Sequence, residues 1–98
     1  MSARSKGVAF EREVAKQFEA AGFTVRGLEA GGDLWAIRDG VLEHIECKRA
    51  ERMKLPEWLR QLRRDAAGER CVLVFKQSRQ PAYAVVPLDQ YLSAVRDD

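Results

Sequence analysis

Asp33, Glu46 and Lys48 are two carboxylates and an ammonium, and Glu46-Cys47-Lys48 closes an apolar, β-prone run that has no packing reason to end in charge. Carboxylates brought together are hard oxygen ligands, which suit Mg²⁺ or Mn²⁺ better than zinc. A lysine beside such an ion could bind a phosphate, activate a water or offset developing charge. An isolated Glu-x-Lys is usually an ordinary same-face surface pair, and an aspartate after two glycines can merely cap a turn. Their weight therefore depends on the elements that position them.

Asp33 and Glu46 lie in two β-prone runs, "DLWAI" and "VLEHIECK", separated by Arg38-Asp39-Gly40. Asp-Gly is a preferred centre for a two-residue type I′ hairpin. With Asp39 and Gly40 in the loop, Arg38 pairs with Val41 and Asp33 lands opposite Glu46. Opposed residues share a face with Cβ atoms about 4.5–5.5 Å apart. Such a pair repels unless a cation neutralises it or one group holds a proton. Alternation adds Lys48 to the same face and turns Val41, Ile45 and Cys47 to the other, so Cys47 would contribute its main-chain carbonyl. The expected metal ligands are Asp33, Glu46 and the Cys47 carbonyl.

A third acid comes from the N-terminal segment. Phe10, Val14, Phe18 and Ala21 recur at helical spacing from Lys6 to Ala21, with Gly22 as the stop. Glu11 falls at the edge of that stripe beside Phe18, where a carboxylate is costly without a partner, and a metal held by the hairpin is one. Glu13 points away. Further on, "FTVRGL" reads as a strand followed by an "EAGG" loop. Pro56 opens a helix carrying Trp58, Leu59 and Leu62 on one side and Arg60, Arg63 and Arg64 on the other. "CVLVFK" and "AYAVVP" are strands, and "LDQYLSAV" a short final helix. The order is αβββαββα.

With 98 residues, 46% of them hydrophobic, and no repeat or linker, residues 1–98 are expected to form a single domain. The 17 basic and 15 acidic residues leave only +2 overall, but the basic ones crowd into the second half. That crowding suits phosphates or a solvated helix face equally well. Arg60, Arg64 and Lys76 are the candidate DNA contacts there, and Lys6 is a fourth at the first helix. Cys47 and Cys71 sit in apolar runs and read as buried thiols in a reducing compartment. One histidine and two scattered cysteines do not make a structural zinc site. Trp35 and Trp58 are core residues on this reading, and His44, on the Glu46 face opposite Trp35, is a satisfied histidine with no catalytic role. No signal peptide or membrane span is visible, so a cytoplasmic, intracellular location is expected.

Taken together these motifs resemble the PD-(D/E)xK nuclease superfamily, and within it the archaeal Holliday-junction resolvase type and its small phage relatives. "KGVAFEREV" is similar to that group's first-helix signature at Lys6, Gly7 and Glu11. "GGDLWAI" supplies the aspartate as Asp33, with Gly32 where the superfamily name has proline, and "IECK" supplies Glu46 and Lys48. Gln61 in "PEWLRQL" resembles the polar residue that many members carry on the following helix. The resemblance implies a restriction-endonuclease-like α/β core, a central mixed sheet flanked by helices. It further implies Mg²⁺- or Mn²⁺-dependent hydrolysis of DNA phosphodiesters by Glu11, Asp33, Glu46, Lys48 and Gln61. A homodimer, branched DNA as substrate, and a nucleoid-associated or phage-encoded setting also come from it. The alternatives are a nuclease-like module that grips DNA without cutting, or a subunit that needs a partner.

Overall fold

The computed structural model describes residues 3–27 and 33–96, with backbone alone at 3–5 and 33. The expected order is present: α1 (Ala3–Ala20), β1 (Thr24–Arg26), β2 (Asp33–Arg38), β3 (Val41–Arg49), α2 (Leu55–Ala66), β4 (Arg70–Lys76), β5 (Tyr83–Val85) and α3 (Leu88–Arg96). The first helix begins three residues before the apolar stripe requires, and β1 is shorter than the β-prone run that contains it. The "EAGG" loop lies outside the described residues.

The strands form one sheet in the order β1-β2-β3-β4-β5, antiparallel except for the parallel pair β3 and β4. It is therefore a mixed sheet. Parallel neighbours need a crossover, and α2 supplies it. Asp39 (φ 53°) and Gly40 (φ 77°) both take the left-handed conformation that a type I′ turn demands. Arg38 pairs with Val41, and the ladder runs back to Asp33 opposite Glu46.

Period-two alternation divides the interior between the two faces. Leu34, Ala36, Ile45, Cys47, Val72 and Val74 pack against Phe10, Val14 and Ala15 of α1. Cys71 and Leu73 meet Trp58, Leu62 and Ala66 of α2 on the opposite face. Trp58 is a core residue, as its spacing suggests, whereas Trp35 is only half-buried. Cys47 and Cys71 are free, buried thiols, and burial pushes the Cys71 thiol up. The α2 helix ends where Ala67 (φ 50°) enters the left-handed region and its N–H bonds the Arg63 carbonyl.

β5 reaches only Leu73, Val74 and Phe75 of β4, so the backbone of Cys71 lies beyond its ladder. The Gln90 side chain completes that edge. Its Oε1 accepts from the Cys71 N–H at 3.0 Å, and its Nε2 donates to the Cys71 carbonyl at 3.0 Å. One amide thus does locally what another strand would do, and it anchors α3.

Candidate active site

The face of β3 that looks toward α2 carries His44, Glu46 and Lys48 in alternation, and it is polar where the other face is apolar. Glu46 is 1% exposed. A carboxylate taken that far from water must find hydrogen-bond donors. Gln61, from α2, donates its Nε2–H to Glu46 Oε1 at 3.0 Å, and its Oε1 accepts from Lys48 Nζ at 3.0 Å. Lys48 Nζ also stands 3.6 Å from Glu46 Oε1. The amide of Gln61 is thereby fixed in one orientation, its donor end on the acid and its acceptor end on the base.

The second oxygen, Glu46 Oε2, lies 3.4 Å from His44 Nε2. The imidazole is also 1% exposed and packs edge-on against its cross-strand partner Trp35, with ring centroids 4.5 Å apart. Its Nδ1 is buried with no hydrogen-bond partner among the described residues. Asp65, one turn beyond Gln61 on α2, brings a half-buried carboxylate to the same place, and donor atoms of His44, Glu46 and Asp65 all lie within 4.8 Å of one another.

Backbone register sets Asp33 directly across from Glu46, as the two-residue turn requires; its side chain lies outside the described residues. Glu11 is half-buried on α1, which packs on the sheet face opposite α2. Cys47 turns its thiol into the α1 core, leaving its main chain on the Glu46 strand. Glu46, Lys48 and Gln61 are thus joined by direct contacts and Asp33 by backbone register, while Glu11 comes from the other layer. His44 and Asp65 received no role from the sequence. Alternation already put His44 on the Glu46 face, but nothing in the sequence marks Asp65 beyond its position four residues after Gln61.

The candidate DNA contacts fall into two groups. Arg60 and Arg64 are exposed and, with Arg63, line an open groove of about 650 Å³ on α2. Lys6 and Lys76 meet beside Arg49 in a smaller groove of about 270 Å³ on the α1 side. Arg49 and Lys76 face each other in the parallel ladder, so that groove lies at the carboxyl ends of β3 and β4.

The donor chemistry fits a hard divalent cation: buried Glu46, Asp33 in register with it, and the main-chain oxygen of Cys47 between Glu46 and Lys48. Among the described residues, no helix is long and apolar enough to cross a membrane.

No curated protein matches the chain. Among solved structures, it is similar to Hjc of Archaeoglobus fulgidus, a Holliday junction resolvase from an archaeal hyperthermophile, with 25% identity and a TM-score of 0.64 over 83% of this chain and 72% of that one. The order and mixed sheet above are thus those of a resolvase-like, restriction-endonuclease-like core. A family model described as phage putative PDDEXK endonuclease matches residues 2–98, and the chain belongs to that family.

Proposed function

We propose that this chain is a divalent-metal-dependent endonuclease that hydrolyses DNA phosphodiester bonds, with a preference for branched DNA. The observation that carries the reading is Glu46, buried and held between Gln61 and Lys48 at the strand position opposite Asp33. Burial obliges Glu46 to find donors, and the ones it finds are a lysine at 3.6 Å and an amide that also fixes that lysine, so an acid and an ammonium are held together in one cleft. The domain spans residues 1–98, and an intracellular setting fits the free thiols.

In this reading Asp33, Glu46 and the Cys47 carbonyl hold Mg²⁺ or Mn²⁺, with Glu11 reaching it from α1. When bound, the ion lowers the pKa of a coordinated water and stabilises charge on the phosphate. The chain's own residues do the rest. Gln61 keeps Glu46 from turning away, and it aims the Lys48 ammonium along the cleft. Lys48, a quarter exposed, extends from that buried support to the solvent side, where it positions the attacking water and offsets phosphate charge. Arg60 and Arg64 hold one length of DNA backbone, and Lys6 and Lys76 another. The preference for junctions rests on the likeness to Hjc, 25% identical over 83% of this chain.

A homodimer completes the proposal. α3 has no buried residue, and Leu88, Tyr91, Leu92 and Val95 form an exposed stripe along it. Two such stripes packed antiparallel would set Asp89 of one copy beside Arg96 of the other.

The test is cleavage of a four-way junction and a matched linear duplex in Mg²⁺, Mn²⁺ or EDTA, by wild-type protein and Glu46→Ala. Metal-dependent cutting lost in the variant is expected, with the junction cut faster. Wild-type protein that binds the DNA tightly but never cuts it would point to a binding module or a nuclease awaiting its partner.

A further inference from the structure

Arg49 and Ser78 bring several donors to bear on one anion. Arg49 Nη1 donates to Glu51 Oε2 at 2.9 Å, the Ser78 hydroxyl donates to the same oxygen at 2.6 Å, and the Ser78 N–H reaches the two carboxylate oxygens at 3.0 and 3.1 Å. A guanidinium, a hydroxyl and a main-chain N–H are also the donors that recognise phosphate oxygens. The set holds its shape without the acid. Arg49 Nη2 donates to Ser78 Oγ at 3.1 Å, which occupies a lone pair and leaves the hydroxyl proton for the anion.

Glu51 can leave this cradle without taking the chain with it. Its side chain is 62% exposed while that of Arg49 is 14% exposed, and an ion pair so open to water on one side contributes little. The main chain is tied down separately. Gln77 Nε2 donates to the Glu51 carbonyl at 2.8 Å, and the Ala50 N–H donates to the Lys76 carbonyl at 3.2 Å. The carboxylate is therefore free to turn into solvent while the segment after β3 stays where it is.

The surroundings say which anion takes its place. Arg49 lines a groove with Lys6 and Lys76, and exposed Arg79 directly follows Ser78. Arg49 also directly follows Lys48 in β3, so the cradle and the proposed cleavage site share one end of the sheet. A polyanion laid across that end meets several cations together, which the single carboxylate of Glu51 does not. We infer that Arg49 and Ser78 form a phosphate site for the DNA backbone, which Glu51 fills in the free protein and vacates when DNA binds. The inference rests on the DNA-binding part of the reading above and needs neither metal nor cleavage.

Binding of a four-way junction to the full chain, followed by fluorescence anisotropy in EDTA so that nothing is cut, decides the matter. Glu51→Ala empties the cradle and should bind about tenfold more tightly than wild-type protein, equivalent to about 1.4 kcal/mol. Glu13→Ala is the control, because Glu13 lines the same groove and takes no part in the cradle. It removes the same charge, and its gain should be smaller. Ser78→Ala and Arg49→Gln should each cancel most of the Glu51→Ala gain and leave the Glu13→Ala gain as it was; Ser78, in a turn, decides even if Arg49→Gln fails to fold. A Glu51→Ala variant that binds no better than Glu13→Ala, or a gain that survives Ser78→Ala, would overturn the inference and leave the nuclease reading standing on the wild-type binding. If neither wild-type protein nor Glu51→Ala binds the junction, both fall together.

Discussion

Gln61 joins an acid and a base with a single amide, and that makes it the most informative position to change. Gln61→Ala removes the donor to Glu46 Oε1 and the acceptor for Lys48 Nζ together, while the rest of α2 keeps its packing through Trp58 and Leu62. Loss of a group that orients a ligand typically costs about 10–100-fold in activity or metal affinity. Single-turnover cleavage should fall by that factor, with DNA affinity nearly unchanged. Glu46 and Lys48 were legible because a strand's period of two states which side chains share a face. Gln61 was legible only by resemblance. Asp65 was not, because its approach to His44 depends on how α2 lies across β3, a tertiary relation that no local spacing encodes.

The hairpin turn sets the register of the site, so its backbone demands reach Glu46. Gly40 adopts φ 77°, and a β-branched residue there pays the left-handed penalty of about 1–2 kcal/mol. Gly40→Val should lower unfolding free energy by that amount in urea and reduce cleavage further than stability alone explains, because slippage separates Asp33 from Glu46. The turn was legible to the residue: Asp-Gly between two β-prone runs predicts both the loop length and the Arg38–Val41 pairing. The clamp between the segment after β3 and the segment after β4 was not, since it joins residues far apart in sequence. Glu51 Oε2 accepts from Ser78 Oγ at 2.6 Å and from Arg49 Nη1 at 2.9 Å, and the Ser78 N–H adds a third donor. The Ser78 hydroxyl, then Arg49, holds its pKa down to about 2. A folded value below the unfolded one means that the clamp's contribution is complete above the ordinary value of 4.5 and is lost as pH falls toward about 2. Glu43 runs the other way: burial raises it, so its effect favours folding at low pH and is lost as pH rises through its folded value. Urea midpoints of wild-type protein and Glu51→Gln should accordingly differ at pH 6 and converge as the pH approaches 2.5.

Across the whole chain, the net charge of +2 hides two separate grooves with basic lining residues, and the proposed DNA contacts divide between them. Arg60, Arg63 and Arg64 line one groove on α2, while Lys6, Arg49 and Lys76 line another at the α1 side of the sheet. Each cation that neutralises a phosphate releases counterions, so it adds about one to the slope of log affinity against log salt. Arg60→Ala with Arg64→Ala should lower that slope by about 2, and Lys6→Ala with Lys76→Ala should do so independently, because the two grooves share no residue. The apolar surface is divided too. Gln90 ties α3 to the end of β4 while Leu88, Tyr91, Leu92 and Val95 remain outside, at 70%, 54%, 46% and 53% exposure. Folding this chain alone leaves that surface in water, and the proposed homodimer would cover it. Leu92 lies inside the stripe and away from both grooves, so Leu92→Glu tests the partner without disturbing DNA contacts. Sedimentation should change from a dimer to a monomer. Each monomer keeps its whole Glu46 site, so nicking of one strand should persist while paired cutting of opposed junction strands is lost. A monomeric wild-type chain, or a variant that still sediments as a dimer, would remove α3 from the account of how two cuts are coordinated.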